Sequence, residues 1–415
     1  MNVVRGYQTE LDLNHEQRTA CLKHAGCARY AYNWGLARSQ EVYRATGKRP
    51  SPMELHKELN ALKQTDFPWM YEVSKCAAQE ALRDLDNAYQ HFFRCVKLKK
   101  QGKLKGKVGF PKFKKRSKAI GSFRLTGQIH VFENAVQLPR LGCLRLKEHG
   151  YIPTEAKVLS ATVSEKAGRW FVSVQVQENC DKRVPTATSA IGVDLGIKTL
   201  ATLSDGTEFA NPRALKHAQK KLKRFERAKS RRQKGSQNRA KARKAIARVH
   251  ARLANIRKDA THKLTSYLSK NHALVAIEDL HVAGMLKNHC LAQAISDSNF
   301  GEIRRQLEYK AAWQGTHIVT IDRFYPSSKT CSGCGHVKPE LSLRERTFVC
   351  DCCGLVLDRD LNAALNLKNV AVSSTDTLNA CGVGSSGLLN GASETAHVEA
   401  GTKGDSWALS QLSMF

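Results

Sequence analysis

Two cysteine pairs near the C-terminal end constrain this chain more tightly than any other feature. Cys331-Ser-Gly-Cys334 and Cys350-Asp-Cys-Cys353 are fifteen residues apart, and a glycine follows each pair, Gly335 and Gly354. Two C-x-x-C knuckles supply four thiolates to one tetrahedral ion, and the trailing glycines permit the turns. Zinc suits so soft and closed a ligand set, whereas a redox dithiol needs only one pair. Residues 326–355 are therefore expected to form a zinc ribbon held by Cys331, Cys334, Cys350 and Cys353. Cys352 is a fifth thiol; pairing Cys350 with Cys353 keeps the two-residue gap and leaves it spare. With all four positions filled by protein, such an ion stabilises a lobe or touches nucleic acid and does no chemistry itself. The other eight of the thirteen cysteines stand singly and read as small buried residues, not as a disulfide framework.

The second constraint is charge. The 415 residues carry a formal net charge of +30, which calls for a polyanionic partner. A membrane surface is the competing reading, but no apolar run reaches the roughly 18 residues of a spanning helix. The first residues also lack a signal-peptide core, so the expected location is the cytoplasm, in association with nucleic acid. The positive charge is concentrated. Residues 97–118 hold eleven Lys/Arg and no acid; residues 213–258 hold nineteen and a single acid, Glu226. Runs without countercharge repel themselves unless phosphates neutralise them. Lys112, Lys114, Lys115 and Arg116 in the first run, and Lys220, Arg224, Arg231 and Arg232 in the second, are the candidate contacts. Phe110 and Phe113 add faces on which bases could stack.

Periodicity divides the chain. Residues 1–13 read as a strand. Asn14 with Gln17 is a capping box, and Cys21, Ala25, Ala28, Tyr32 and Leu36 recur at helical spacing. With helices over 54–63 and 73–95, residues 14–96 form a helical module. Short alternating stretches from 120 to 178, ending in a hairpin with Ala167-Gly168 at its tip, read as all-β. Together with residues 1–13 they suggest a small barrel, 1–13 and 97–182, interrupted by the helices. Residues 181–189 read as a linker. From Ile191 the pattern becomes α/β: strands at 191–194, 198–203 and 207–210, a helical pair over 213–270 broken near Gly235-Ser236, a strand at 272–277, a helix at 301–314, a strand at 316–322 and a closing helix at 361–370. The Ser- and Gly-rich residues 373–415 are expected to be disordered.

Three acids stand out against this pattern. Asp194 and Glu278 end buried strands, and Asp360 opens the closing helix. Each alone is unremarkable. A hairpin whose first strand ends in Asp, a later strand ending in Glu and an acid opening a late helix make the layout of an RNase H fold. Carboxylates gathered within about 4 Å repel by several kcal/mol per pair, and they stay ionised together only with cations between them. Oxygen ligands suit Mg²⁺ or Mn²⁺, and two such ions about 3.5–4 Å apart can activate water against a phosphodiester.

These residues resemble the TnpB (OrfB) proteins of insertion sequences, relatives of type V CRISPR effectors. The resemblance rests on Gly192-Val-Asp194-Leu-Gly-Ile-Lys198, Ile277-Glu278-Asp279-Leu280, Arg305-Gln-Leu-Glu-Tyr-Lys310, Pro326-Ser-Ser-Lys-Thr-Cys331, the two knuckles and Asp358-Arg-Asp360-Leu-Asn-Ala-Ala364. Ala28-Arg-Tyr-Ala-Tyr-Asn33 and Val108-Gly-Phe-Pro-Lys-Phe-Lys114 fit as well, and the likeness covers residues 1–380. It implies a RuvC-like nuclease domain (190–325 and 356–372) with the inserted ribbon, an OB-like, WED-type barrel, and 14–96 as a recognition module. It implies a guide (omega) RNA, double-stranded target DNA read beside a short adjacent motif, and a monomeric ribonucleoprotein. The metal-binding catalytic acids would be Asp194, Glu278 and Asp360, with Asp360 preferred to Asp358. Lys75 and Gln79 fall where the family reads its adjacent motif, although both also fit a solvated helix face. Phe348 departs from the pattern, standing where Trp is common, and Cys352 is unusual. A non-cleaving RNA-guided DNA-binding regulator and an RNA-independent transposase are the rival readings.

Overall fold

The computed structural model describes residues 2–104, 106–116, 120–179, 189–342 and 344–380, with side chains to residue 374. It divides into two compact units, Asn2–Asn179 and the residues from 180 onward. Together they make a mixed α/β protein.

In the first unit, strand β1 (Asn2–Asp12) leads into α1 (His15–Thr46), α2 (Pro52–Thr65), a short 3₁₀ turn and α3 (Lys75–Lys100). Asn14 and Gln17 close the expected capping box, each side chain accepting the other's main-chain N–H at 2.8 and 3.2 Å. The stripe Cys21, Ala25, Ala28, Tyr32 and Leu36 is buried. Gly35 is where α3 crosses: a Cβ there would lie 2.5 Å from Leu82 Cδ2. Helix α3 runs past the expected residue 95 and takes in Lys97, Lys99 and Lys100, whose cations sit in its last turn against the negative end of the helix dipole.

Strands β2 (Ser122–Leu125), β3 (His130–Val131), β4 (Ala135–Leu138), β5 (Gly142–Leu146), β6 (Lys157–Lys166) and β7 (Arg169–Asn179) follow. With β1 they make one antiparallel sheet in the order β2-β6-β7-β1-β5-β4-β3. Ala167 and Gly168, both at positive φ, turn the β6–β7 hairpin, the primed geometry that matches strand twist. Trp170, Val172, Val174 and Val176 alternate inward. The helices and the sheet are not separately cored: Leu36, Leu82 and Leu85 belong to the same buried cluster as Phe123, Leu125 and Val172. His24 joins them, its Nε2 accepting from Ser74 N at 3.0 Å and its ring tilted on Phe123.

The second unit opens with β8 (Ala190–Leu195), β9 (Thr199–Leu203) and β10 (Glu208–Ala210), then the helical hairpin α4 (Ala214–Ser230) and α5 (Gln237–Asn271). The hairpin breaks around Gly235 at positive φ, with Ser236 capping α5. Strand β11 (Leu274–Glu278), short helices α6 (Val282–Met285) and α7 (Ala292–Ser298), helix α8 (Phe300–Gln314) and strand β12 (His317–Ile321) follow. The small hairpin β13 (Thr347–Val349) and β14 (Val356–Asp358) precedes α9 (Arg359–Ala380). The sheet order is β10-β9-β8-β11-β12, antiparallel among the first three strands and parallel among the last three. The sequence patterns leave α6 and α7 unmarked. They also end the last helix ten residues early, so residues 373–380, expected to be disordered, continue α9. Its Leu367 and Ala371 are buried with Ile321 and Ala276, which carries the helix beyond residue 370. The expected linker falls almost wholly outside the described residues, as does the tail beyond 380.

Candidate metal centres and nucleic-acid interface

Register brings the acids together. β8 and β11 run parallel with Val193 opposite Ile277, so the next residues, Asp194 and Glu278, emerge side by side at the strand ends. Gly192 supplies the third acid. A Cβ on it would lie 1.9 Å from Ala364 O and 2.7 Å from Lys368 N, so only glycine lets the α9 backbone lie on β8. Asp194 is two residues beyond Gly192 on the same strand face, and Asp360 is four residues before Ala364 on the same helix face. The close approach at Gly192 therefore sets Asp360 beside Asp194.

The electrostatics reflect this crowding. Burial first, then the negative charges of Asp360 and Glu278, push Asp194 up to about 7, against the pull of Arg359. Glu278 is also raised, by burial and by Asp279. Among the described residues, neither the Asp194 nor the Glu278 carboxylate has a hydrogen bond or ion pair. Asp360 instead faces two guanidinium groups, Arg359 Nε at 3.5 Å and Arg346 Nη1 at 3.9 Å. Asp358 is occupied differently. Its Oδ1 accepts the main-chain N–H of Asp360 and Leu361 at 2.9 and 3.1 Å, which makes it the helix cap. Two half-buried, unpartnered carboxylates beside a third are the donor set a hard divalent cation takes.

The cysteines close more tightly. The Sγ atoms of Cys331, Cys334, Cys350 and Cys353 lie within 4.8 Å of one another, and two of the separations are 3.6 Å. A tetrahedral zinc with bonds of about 2.3 Å holds its sulfurs about 3.8 Å apart, so the set fits a single ion. Main-chain N–H groups of Cys353 and Cys352 pull the Cys350 thiol down, while S–H groups shared among the four sulfurs push Cys334 and Cys353 up. The Cys352 side chain is exposed and outside the set. Phe348 is fully buried against Cys331 and Cys350. Asn362 and Asn366 fasten this lobe to α9: their amides donate to Thr330 O at 2.7 and 2.6 Å, and Asn362 Oδ1 accepts from Ser332 N.

The basic candidates separate by role. Lys112, Lys115, Arg116, Lys220, Arg224 and Arg231 are exposed. Arg232 is tied to the α4–α5 turn, donating to Asn238 O at 2.6 Å. Lys114 is exposed as well, but its ammonium sits 4.0 Å over the Tyr32 ring, and desolvation there lowers its pKa. Lys75 is exposed on the first turn of α3, with Gln79 half-buried one turn on. Sequence reasoning missed the groups that support the acids. Arg304 and Arg323 both pair with Asp279, the residue after Glu278. Buried Lys310 ties α8 to α5 through Thr265 Oγ1 at 2.6 Å and Ser266 Oγ at 2.8 Å. Asp279 and Lys310 lie in the Ile277–Leu280 and Arg305–Lys310 motifs, the one signal that could have marked them.

Three family models match: OrfB_IS605, "Probable transposase", over residues 161–289; the Cas12f1-like TNB domain over 300–367; and an OrfB_IS605 helix-turn-helix domain over 1–48. The last name does not describe the local structure, which is strand β1 and the single helix α1. A Streptomyces pristinaespiralis protein named "Putative RNA-guided DNA endonuclease" is 37% identical over 386 residues, 92% of each chain. The Escherichia coli K12 protein of the same description, InsQ, is 32% identical across 88% of this chain and 92% of its own. The fold resembles that of a Cas12f1–sgRNA–target DNA complex, with a TM-score of 0.51 at 12% identity over 89% of this chain and 99% of that one. Acids, cysteine knuckles and full-length relatives agree, and the chain belongs to the OrfB (TnpB) family of insertion-sequence proteins.

Proposed function

We propose that this protein is an RNA-guided endonuclease that cuts double-stranded DNA beside a short adjacent motif. The convergence of Asp194, Glu278 and Asp360 carries the reading. A basic surface alone suits a carrier, but a carrier has no use for two half-buried acids without partners. Mg²⁺ or Mn²⁺ held by these carboxylates would supply an activated water and stabilise the leaving oxygen of a DNA phosphodiester. Arg359 and Arg346 orient Asp360, and the Arg304–Asp279–Arg323 pairing fixes the chain just beyond Glu278. The second unit is read as the RuvC-like domain and its four-cysteine lobe as a zinc ribbon. The sheet of the first unit is read as the OB-like, WED-type element, and α1–α3 as the recognition module. Exposed lysines and arginines of α4, α5 and residues 112–116 grip the backbones of guide RNA and heteroduplex. Lys75 and Gln79 are the candidate readers of the adjacent motif. The working form is a monomeric ribonucleoprotein.

The test is cleavage of a matched DNA duplex by the purified protein with its RNA and Mg²⁺. Asp194→Ala should abolish cleavage and leave RNA-dependent DNA binding nearly intact. A wild-type complex that binds the matched duplex and never nicks it would make this a targeting regulator. Cleavage that survives RNase treatment would exclude RNA guidance.

A further inference from the structure

Helix α1 carries a groove, away from its buried stripe, to which the carboxylate and cysteine sites contribute nothing. Gly26, Arg29, Tyr30, Asn33 and Trp34, with Trp69 from the 3₁₀ turn, line it. Tyr30 and Trp69 are 36% and 40% exposed. Tyr30 stands edge-on to Trp69 at 5.4 Å and to Phe67 at 5.1 Å. Edge-on contacts stiffen the rings while leaving faces open, a platform that costs little entropy to use.

The groove's polar residues are already engaged, and their partners matter. The Asn33 carboxamide brackets the main chain of Lys114, donating to its carbonyl at 2.9 Å and accepting its N–H at 2.8 Å. Arg29 Nη1 donates to Ile120 O at 2.9 Å. Neighbouring turns of α1 thus moor the basic segment at residues 114 and 120 alongside the aromatic rings. Lys112, Lys115 and Arg116 remain exposed there. Rings flanked by a moored cationic strand are the two halves of a single-strand nucleic-acid site: faces for bases and charges for phosphates. An apolar protein-docking patch has no need of the cations. Two acids lie near: the charge of Asp66 reaches the Tyr30 phenol and that of Asp84 reaches Lys114, and each disfavours a phosphate on its own side.

We propose that this groove stacks an unpaired base of the guide RNA, with Lys112, Lys115 and Arg116 taking the adjoining phosphates. The assignment to guide RNA rests on the function proposed above; a folded RNA presents unpaired loop bases before any DNA is engaged. Because Arg29 and Asn33 are committed to main chain, the site reads the face of a base and tolerates sequence.

Full-length protein, stripped of RNA and held without added Mg²⁺ so that no cleavage occurs, is titrated with fluorescent single-stranded oligo(rA) of about ten nucleotides. Trp69→Ala should weaken binding about tenfold, the loss of one stacked base. Gly26→Leu should do the same by filling the groove. Gly26 is helical, and a Cβ there would meet only Arg29 Nη2, at 3.9 Å, so the helix backbone accepts a side chain at this position; circular dichroism of the variant checks its fold. Neither should alter the slope of affinity against salt, whereas Lys115→Ala should lower it by about one. Unchanged affinity in both groove variants overturns the site. A loss seen with oligo(dA) but not with oligo(rA) overturns the assignment to RNA. Neither readout involves cleavage, so failure here is distinct from failure of the nuclease reading, which Asp194→Ala tests.

Discussion

At the residue scale, the proposed chemistry hangs on Asp194, whose pKa is pushed up to about 7 by burial and by its acidic neighbours. The unfolded chain loses that proton near 3.8 and the folded chain near 7. Between these values the folded state binds more protons, so the metal-free protein should lose stability as pH rises from about 4 to 7 and level off above. The contribution is on the order of 2–4 kcal/mol. Asp194→Asn should remove it, and denaturant unfolding without added Mg²⁺ at both pH values measures the difference. Divalent-ion affinity should change the opposite way, weakening below about pH 7 as the proton competes, which calorimetric titration would detect. Gly192 is the other decisive residue. Gly192→Ala drives a methyl into the α9 backbone and should cost more than about 3 kcal/mol. It should also lose cleavage, because α9 carries Asp360.

At the element scale, α9 organises the second unit. Its first turn separates two acids that look alike in sequence. Asp358 caps the helix, so Asp358→Ala should lower stability by about 1 kcal/mol and largely spare cleavage. Asp360→Ala should abolish cleavage with little loss of stability. Melting curves and a nicking assay on the two variants read this exchange directly. The lobe on 326–358 is a second such element. Its buried core is little more than Phe348 packed on two cysteines. A unit so small is expected to depend on an ion held by its four cysteines. Chelation, or Cys331→Ser, should open residues 326–358 to hydrogen exchange while strands β8 and β11 stay protected. Lys310 is a quieter device: its ammonium, held by three hydroxyl and carbonyl acceptors, drops to about 8 because it is buried between α5 and α8 and repelled by Lys270, against the pull of Glu302.

At the scale of the whole molecule, the excess of +30 should dominate affinity. If about ten phosphates are neutralised, RNA binding should weaken about 10³–10⁵-fold between roughly 50 and 200 mM salt, as filter binding would record. No helix of the described residues is long and apolar enough to cross a membrane. Much of this was open to reading from residues alone. The Asn14–Gln17 capping box, the α1 stripe, the strands that end in Asp194 and in Glu278, and the spacing of each cysteine pair all follow from residues within a few turns or one strand, where geometry is local. Spacing could not reveal that the helical module and the sheet share one core, that α9 runs to Ala380, or that Lys114 lies over Tyr32. Those outcomes depend on surfaces that meet across long sequence distances. The clearest case is Gly192 against Ala364: sequence alone determined that a glycine stands two residues before an acid, but only the packed helix decided that its missing side chain is what brings Asp360 to Asp194.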